Sequence, residues 1–234
     1  MRRLIVWAAL FVGLGLGVWQ ALVHPATPLP PEWNPTRPLA VSAPVTPVTA
    51  WKLQNALAGG DQCLAVLSAA DVGFEVLPNR EVSDVCHIRD RVRLTRIGSV
   101  ALRPLDTRCQ IALRLAMWTE HGLVPAAEEI GASLTGIEHL SSFSCRRIRT
   151  PGGGSTRMST HATADAVDIA GFRFAGDRRM RLVTDWNGAP EAQSFLRAAQ
   201  TSACDWFATV LGPEYNALHA DHFHMQHRGW GTCR

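Results

Sequence analysis

The pattern of hydrophobic and polar residues divides the chain into three parts. Residues 4–23 are apolar and uncharged, residues 24–50 are rich in proline, and from Trp51 onward apolar residues recur with helical or strand-like periods. Periodic spacing of apolar residues is typical of segments that pack in a folded core. We therefore expect a targeting segment over residues 1–23, a linker over residues 24–50 and one folded domain over residues 51–234.

Within the domain, apolar residues at helical spacing predict three helices. The first spans about residues 61–70. The second spans about residues 108–121, with Thr107 as a candidate N-cap and Gly122 as the residue that stops the helix. The third begins at Pro190, because proline favours the first helical turn, and we expect it to continue to residue 211.

Alternating and β-branched runs predict strands in the same domain. These strands cover about residues 86–98, 137–144, 166–169 and 172–174, and we expect the last two to pair with each other. Strands in the middle of the domain, with helices before and after them, indicate an α+β fold.

The N-terminal segment has the charge pattern of a targeting sequence. Arg2 and Arg3 precede the apolar run, and no small-x-small cleavage site follows it. A helix that spans a membrane needs about 20 apolar residues, and this run is of that length. We expect an uncleaved single-span anchor, with the arginines in the cytoplasm and the rest of the chain exported. A cleaved signal peptide is the alternative.

The segment over residues 24–50 carries eight prolines and few residues that could build a core. Proline-rich segments are extended and semi-rigid, so we expect a spacer between the anchor and the domain. A disordered linker without a spacing role is the alternative.

The charge of the chain argues against one class of partner. The net charge is +3, the basic residues are nearly all arginine, and no basic stripe is interleaved with aromatic residues. Proteins that track nucleic acids carry such stripes, so we expect no nucleic-acid partner.

Six cysteines are scattered singly, and none belongs to a C-x-x-C pair. This spacing argues against a structural zinc knuckle and against a thioredoxin-type redox site. In an exported chain the six cysteines predict three disulfides. The sequence leaves their pairing open, and nearness along the chain favours Cys63 with Cys86, Cys109 with Cys145, and Cys204 with Cys233.

Two short stretches, Ser159–Asp168 and His219–His224, concentrate the residues that could carry chemistry. Together they hold four of the nine histidines. In the first stretch His161 and Asp168 are seven residues apart, and on a continuous strand this odd separation would put their side chains on opposite faces. We therefore expect a turn, with His161 in a loop and Asp168 on the strand that follows.

In the second stretch His222 and His224 flank Phe223, so a strand would direct both imidazoles to one face. Two imidazoles and a carboxylate, with a fourth position left for water, form an open zinc site that activates water for hydrolysis. Asp221 is close enough in sequence to serve as the general base. His219 is an alternative to His222 as a ligand, or a group that orients a neighbour.

The alternative interpretation is that these histidines are ordinary surface groups and that Asp168 satisfies turn backbone. We interpret Asp165 as a local hydrogen-bonding residue that faces away from the metal. Trp186 and Trp230 either line a cleft for glycan or peptide or belong to the core, which is the commoner fate of tryptophan. The remaining histidines considered as candidates are expected at the surface or in caps: His87, His139 and His227.

The two stretches resemble a known zinc signature. Ser159-x-His161 with Asp168, followed downstream by Asp221-His222-Phe223-His224, is similar to the signature of D-Ala-D-Ala carboxypeptidases and dipeptidases, lysostaphin-type endopeptidases and the hedgehog signalling domain. Ser144-Cys145-Arg146 is similar to the upstream Ser-x-Arg of the D-Ala-D-Ala branch. More broadly, residues 63–225, including Leu211-Gly-Pro-x-Tyr-Asn216, resemble bacterial proteins of the extensin-like C-terminal domain family.

The resemblance implies a hedgehog/D-Ala-D-Ala peptidase-like α+β fold. In that fold a small antiparallel sheet carries a zinc site and is flanked by helices, here stapled by disulfides. The resemblance also implies residue roles. The Zn2+ ligands would be His161, Asp168 and His224; Asp221 would be the general base, His222 would stabilise the oxyanion, and Arg146 and Ser159 would contact the substrate.

By the same resemblance, the expected function is zinc-dependent hydrolysis of peptidoglycan peptide, of the DD-carboxypeptidase or endopeptidase type. The expected partners are peptidoglycan stem peptides and, through the N-terminal segment, the bacterial inner membrane. The domain would face the periplasm, or be secreted to it after signal cleavage. The base of the dipeptidase branch is often Glu, so Asp221, shorter by one methylene, would have to sit closer or act through a second water. A non-catalytic zinc-containing cell-wall binding or structural module is the competing function.

Overall fold

The structure is a computed structural model that describes residues 1–150 and 152–234. Its α-helices are α1 (Arg2–Val23), α2 (Thr49–Leu57), α3 (Gly60–Ser68), α4 (Cys109–Trp118), α5 (Val124–Glu129), α6 (Leu182–Asp185) and α7 (Pro190–Trp206). A π-helical turn, Thr119–Leu123, joins α4 to α5, and 3-10 turns cover Thr160–Thr163 and Ala217–His219. Its strands are β1 (Val72–Val76), β2 (Arg80–Ser83), β3 (Cys86–Ile88), β4 (Arg91–Ile97), β5 (Val100–Arg108), β6 (Leu134–His139), β7 (Arg147–Thr150), β8 (Gly153–Met158), β9 (Ala166–Phe174), β10 (Arg179–Arg181), β11 (Thr209–Leu211), β12 (Phe223–Gln226) and β13 (Thr232–Cys233).

One sheet of nine strands organises the domain. Its strands follow the order β1-β4-β5-β6-β9-β12-β11-β13, and β10 pairs with β9. The pairs β5–β6 and β11–β13 are parallel, and the other neighbours are antiparallel. Two separate ribbons, β2–β3 and β7–β8, complete the strands. The α+β class is confirmed, and the sheet is larger than the small antiparallel sheet that was expected and includes parallel pairs.

The core lies between this sheet and the helices α4 and α7. All ten residues of α4 are buried, because the helix contacts β4 and β5 on one side and α3 and α7 on others. Trp118 is fully buried, and its ring centroid lies 6.0 Å from that of Phe172 and 6.3 Å from that of Phe207. These are edge-to-face contacts, which stabilise aromatic pairs beyond the area they bury.

Strand β9 unites two segments that were expected to be separate, paired strands. Residues 166–169 and 172–174 belong to one strand of nine residues. Gly171 between them does not form a turn; a Cβ there would lie 2.6 Å from the Met180 carbonyl oxygen, so the glycine lets β10 approach β9. The ladder with β6 also shifts register beside this glycine. Apolar side chains on both sides of the shift enter the core: Val167, Ile169, Phe172 and Phe174.

Two helix boundaries differ from those expected. The second predicted helix does not stop at Gly122 but passes through the π-helical turn into α5. A Cβ at Gly122 would lie 2.6 Å from Ser202 Oγ, so the glycine permits close packing against α7. The third predicted helix ends at Trp206 rather than at Leu211. The β-branched residues that follow pair as β11 with β12, because the sheet satisfies their backbone groups.

Three disulfides connect distant parts of the domain: Cys63–Cys109, Cys86–Cys145 and Cys204–Cys233. The last confirms the expected pair, and the expected pairs Cys63–Cys86 and Cys109–Cys145 are wrong. Nearness along the chain failed because α3 packs on α4, which brings the Cα atoms of Cys63 and Cys109 to 6.0 Å. The two remaining cysteines then pair between β3 and the segment that precedes β7.

The proline-rich segment packs on the domain instead of standing away from it. Leu39 and Val41 are buried in the core. His121 Nε2 lies 2.7 Å from the Val41 carbonyl oxygen, and Lys52 Nζ donates to the Pro31 carbonyl oxygen at 2.5 Å. The segment is therefore packed against the domain and is not the extended spacer that was expected. A few apolar residues and polar contacts attach it to the domain.

Helix α1 is long and apolar enough to cross a membrane, and none of its residues is buried. A signal sequence near the N-terminus fits the same description. The C-terminal end of α1 receives a cap from the proline-rich segment, since Asn34 Nδ2 donates to the Leu22 carbonyl oxygen at 2.8 Å. The targeting segment expected over residues 1–23 is thus an apolar helix that fits an anchor or a signal.

We predict that the Cys86–Cys145 disulfide stabilises the domain. It closes a sequence separation of 59 residues, and cross-links of long loops restrict the unfolded chain. The variant Cys86→Ala/Cys145→Ala should lose roughly 2–4 kcal/mol of unfolding free energy, measured by urea denaturation of the full chain in detergent. Peptide mapping without reductant checks the connectivity. Recovery of Cys63 joined to Cys86 would contradict it.

Candidate metal centre

The pairing of β9 with β12 brings the two chemistry-bearing stretches together. In this antiparallel ladder Asp168 lies directly opposite His224. Directly opposite residues project from the same face of a sheet, with their side chains a few ångströms apart. Two of the predicted ligands therefore meet because of strand register.

His161 reaches the same place from a turn ahead of β9. Ser159 Oγ accepts a hydrogen bond from the His161 backbone N–H at 3.3 Å, which caps the 3-10 turn. Ala164 then adopts a left-handed backbone conformation, with φ of 51°, and the chain enters β9. Ala162 and Ala164 are fully buried, so the turn is tightly packed. The turn expected between His161 and Asp168 is confirmed.

Ligand-type atoms of three residues converge in a buried cluster formed by His161, Asp168 and His224. His161 Nε2 lies 3.2 Å from Asp168 Oδ2 and 3.1 Å from His224 Nδ1, and His224 Nδ1 lies 2.9 Å from Asp168 Oδ1. Each of the three residues is less than one tenth exposed. Ligand atoms around a tetrahedral ion such as zinc are about 3.3 Å apart. The cluster therefore fits a metal ion with a small expansion.

Hydrogen bonds behind the cluster select the ring nitrogens that face it. His161 Nδ1 lies 3.0 Å from the Ser142 carbonyl oxygen, so this nitrogen carries the proton and Nε2 presents its lone pair. Gln226 Nε2 lies 2.8 Å from His224 Nε2 and holds the ring with Nδ1 toward the cluster. With the amide oxygen of Gln226 turned to Nε2, that nitrogen carries the proton and Nδ1 presents its lone pair. Outer contacts of this kind orient the imidazoles that bind metals.

The electrostatics of the cluster favour the protonation state that binds a metal. Burial by itself would raise the pKa of Asp168, but hydrogen bonds and attraction from His161 and His224 outweigh it and hold that pKa well below its usual range. Burial lowers the pKa of His224, although Asp168 acts in the opposite direction. At neutral pH the cluster thus contains an ionised carboxylate and a neutral His224, which are the metal-binding forms.

His222 and Asp221 lie at the rim of the cluster. His222 Nδ1 is 2.7 Å from Asp221 Oδ1, and His222 Nε2 is 3.6 Å from Asp168 Oδ1. The His222 side chain is 13% exposed and that of Asp221 is 57% exposed, so the imidazole faces the cluster and the carboxylate holds its outer nitrogen. His219 borders the same place, with its ring centroid 5.7 Å from that of His224, and burial lowers its pKa to about 4.

The two predicted substrate-binding residues have local partners. Ser159 is buried, and its hydroxyl caps the turn that carries His161. The Arg146 guanidinium donates to the Arg147 carbonyl oxygen at 3.4 Å. The Ser159 N–H donates to the Arg146 carbonyl oxygen at 3.0 Å, which places Arg146 beside the turn. The structure therefore gives Ser159 a role in shaping the site and brings the Arg146 backbone next to it.

The other polar and aromatic candidates have structural surroundings. Asp165 forms an ion pair with Arg108 and accepts a hydrogen bond from the Thr163 hydroxyl at 2.7 Å, in keeping with a local role outside the cluster. Trp186 is buried in the core, whereas Trp230 is fully exposed. Neither tryptophan contributes to the His161–Asp168–His224 cluster.

Among the histidines expected at the surface, two form hydrogen bonds within the domain. His139 is buried, and its Nε2 lies 2.9 Å from the Arg103 carbonyl oxygen. His227 Nδ1 accepts a hydrogen bond from Nε of the buried Arg114 at 3.1 Å, and burial lowers the pKa of His227 to about 4 and that of Arg114 to about 10. The surface assignment is thus wrong for His139, whereas His227 is half-buried. His227 and Arg114 lie 113 residues apart along the chain, so no local pattern in the sequence identifies the pair.

Fold and site together define an α+β domain with a buried His-Asp-His cluster that can hold a metal ion. The chain belongs to the family described as Extensin-like protein C-terminus, which matches residues 61–234. This confirms the extensin-like part of the resemblance, and the matched span contains the whole cluster. No curated protein and no solved structure matches the chain.

We predict that Asp168 is required for metal binding. Asp168→Ala should weaken the affinity for zinc by more than about 100-fold, because a direct ligand matters more than the outer contacts that are worth 10–100-fold. Metal content after dialysis and titration with a competing chelator measure the effect. Asp165→Ala is the matched control: Asp165 is equally buried three residues earlier but pairs with Arg108, so this variant should keep its metal. Unchanged metal content in Asp168→Ala would contradict the assignment.

We also predict that the half-buried, neutral His227 makes the metal-free protein sensitive to acid. Its folded-state pKa is about 4 against a usual 6.5, so the folded protein binds fewer protons than the unfolded chain and loses stability as the pH falls through that window. The shift corresponds to about 3 kcal/mol. His227→Gln keeps an acceptor for Arg114. Between pH 7 and pH 4 its free energy of unfolding should fall by about 3 kcal/mol less than that of the wild type, measured by urea unfolding in the presence of a chelator.

The control for this measurement is His24→Gln, which changes an exposed histidine after α1. It should follow the wild-type profile. A His227→Gln profile that coincides with that of the wild type would show that another group causes the acid sensitivity.

Proposed function

We propose that this protein is a zinc-dependent peptidase that acts on the peptide part of peptidoglycan, as a DD-carboxypeptidase or an endopeptidase. The observation that carries the proposal is the convergence of His161, Asp168 and His224, with ligand atoms 2.9–3.2 Å apart and His222 at the rim. Two imidazoles and a carboxylate with one open position are the ligand set of catalytic zinc. Bound there, zinc supplies a Lewis acid that polarises an amide carbonyl and acidifies water.

The protein groups beside the ligands supply the proton transfer. His222 Nε2 faces the cluster while its Nδ1 is bonded to Asp221 at 2.7 Å. In such a pair the imidazole takes a proton at Nε2, and the carboxylate stabilises the cation that results. The geometry supports a shared role, in which His222 exchanges the proton and Asp221 orients it. The short side chain of Asp221 then needs no direct reach to the attacking water.

The segment before the turn of His161, which contains Arg146, would contact the substrate. Arg146 lies next to Ser159 through a backbone hydrogen bond, in the segment that leads to the turn of His161. A guanidinium there would stabilise negative charge that develops on the amide oxygen. We also propose the hedgehog/D-Ala-D-Ala peptidase-like arrangement for this fold, which is supported by the way the two signature stretches meet on β9 and β12.

We propose that the domain faces the periplasm and that α1 anchors it in the bacterial inner membrane as a single span. The length and apolar character of α1 support an anchor. Three disulfides support an oxidising compartment on the far side of that membrane. Secretion to the periplasm after signal cleavage is the alternative, and immunoblotting of membrane and soluble fractions with the N-terminus tagged distinguishes the two.

A non-catalytic cell-wall binding or structural module is the second candidate function. One observation favours it: His222 Nε2 lies 3.6 Å from Asp168 Oδ1, so a small movement could make this imidazole a fourth ligand. Zinc sites closed by four protein ligands are structural. In that case the metal would stabilise the fold or recognise a ligand without turnover.

We predict that His222 and Asp221 are needed for hydrolysis but not for metal retention. Zinc-loaded full chain in detergent is mixed with purified muropeptides under single-turnover conditions. His222→Gln should slow cleavage by about 10²–10⁴-fold, the usual contribution of a general acid–base group, and Asp221→Ala by less. Asp84→Ala, which removes an exposed carboxylate from the turn between β2 and β3, is the control and should cleave normally.

The same preparation separates the two candidate functions. Wild-type protein that holds stoichiometric zinc and cleaves no muropeptide would reject the peptidase and leave the binding module. Loss of zinc from His222→Gln would identify His222 as a fourth ligand and favour a structural metal.

A further inference from the structure

A groove of about 570 Å³ adjoins the metal centre and shares Asp221 with it. The groove lies over β6, β9 and β10, and its floor is largely aliphatic. Its charged lining consists of four arginines and two carboxylates, a net charge of +2: Arg103, Arg173, Arg179, Arg181, Glu138 and Asp221. A concave site with an apolar floor and a few convergent charges is the usual form of a ligand site.

The register shift in β9 puts the groove and the cluster on the same face of the sheet. Asp168 and Arg173 are five residues apart, and in a regular strand this odd separation would direct them to opposite faces. The shift against β6 lies between them and adds one residue to the count. Arg173 therefore lines the groove, while Phe172 and Phe174 beside it fill the core.

The arginines of the groove are only partly neutralised within the protein. Arg179 Nη1 and Arg181 Nε share Glu138, at 3.8 and 3.6 Å from its carboxylate oxygens. Arg103 donates to a carbonyl oxygen, that of His139, at 2.6 Å. In the described part of the chain Arg173 has no carboxylate within 4.0 Å. Its charge is available to a ligand.

Gly136 on β6 leaves room for the side chain of Arg173. A Cβ at Gly136 would lie 2.5 Å from Arg173 Nη2 and 2.6 Å from its Nε, so the guanidinium lies flat across the glycine. The arginine is thus positioned over the sheet rather than extended into solvent, and it lines the groove. A guanidinium in this setting suits a carboxylate, which it can bind through two parallel hydrogen bonds.

We propose that this groove binds a carboxylate-bearing segment of the peptide substrate while an amide of the same peptide is presented at the metal centre. The proposal rests on the proposed peptidase function and names its substrate class. The five residues from Asp168 to Arg173 span roughly 15 Å of strand, so the recognised carboxylate lies on the order of 15 Å from the attacked bond. Glu138 receives an ammonium or amide N–H of that peptide and would repel a polyanion such as polyphosphate.

Binding to metal-free protein tests the groove without turnover. The probes are the tetrapeptide L-alanyl-γ-D-glutamyl-diaminopimelyl-D-alanine and the same peptide with its carboxylates amidated, titrated calorimetrically into the full chain in detergent. We expect the acidic peptide to bind about tenfold tighter, the low end for hydrogen bonds to charged groups. Arg173→Gln should remove most of that difference, and the exposed Arg181→Gln should reduce it without affecting the packed region over Gly136.

The matched control is Arg178→Gln, which removes one positive charge next to β10 but outside the groove, where Arg178 pairs with Glu191. This variant should keep the tenfold difference. Circular dichroism confirms that each variant is folded.

The outcomes separate the groove from the peptidase proposal. Equal affinity of the wild type for the two peptides contradicts the groove proposal, even if zinc-loaded protein hydrolyses muropeptides. The proposal is also contradicted if both Arg173→Gln and Arg181→Gln keep the tenfold difference in affinity. If these variants lose the difference in affinity and zinc-loaded wild type hydrolyses no muropeptide, the carboxylate-binding groove is supported and the peptidase function is rejected. Tighter binding of polyphosphate than of the acidic peptide overturns the proposal by assigning the groove to a polyanion.

Discussion

A buried, ionised carboxylate is the constraint on which the arrangement of this domain depends. Asp168 is 9% exposed, and a charge in such a position is costly unless it is paired and hydrogen-bonded. Its two partners come from different parts of the chain, His161 from a turn before β9 and His224 from the neighbouring strand β12. The chain must therefore fold back twice onto one strand. The stability of the fold and its capacity to hold a metal ion consequently depend on the same three side chains.

A second layer of hydrogen bonds connects this cluster to the rest of the fold. The Ser142 carbonyl oxygen accepts from His161 Nδ1, and the Ser142 hydroxyl donates to the Ala166 carbonyl oxygen at 2.7 Å and lies 2.7 Å from the hydroxyl of Thr107. The segment that contains Ser142 also pairs with the Asp168 backbone on both sides. It is closed at its far end by the disulfide of Cys145. The ligands are thus held by backbone and covalent links, which is how a preorganised site is built.

The sequence predicted the parts of this site that local rules determine. The odd spacing of His161 and Asp168 required a turn, and the structure has one; the expected strand at His224 is also present. The disulfides and the extent of β9 depend on which distant elements pack together, and nearness along the chain carries no information about that. For the same reason the residue pattern did not identify the bond between His227 and Arg114, or a groove that a register shift places beside the cluster.

The contrast between the cluster and its rim bears on whether this family member turns over a substrate. A metal needed for folding alone is best enclosed, since exposure adds nothing to its stabilising effect. Here the three ligand residues are enclosed, but the adjoining His222–Asp221 pair runs outward to a carboxylate that is 57% exposed and lines a positively charged groove. A hydrogen-bonded His–Asp pair between a buried cluster and a solvent-facing groove is what the proposed chemistry on a bound molecule requires.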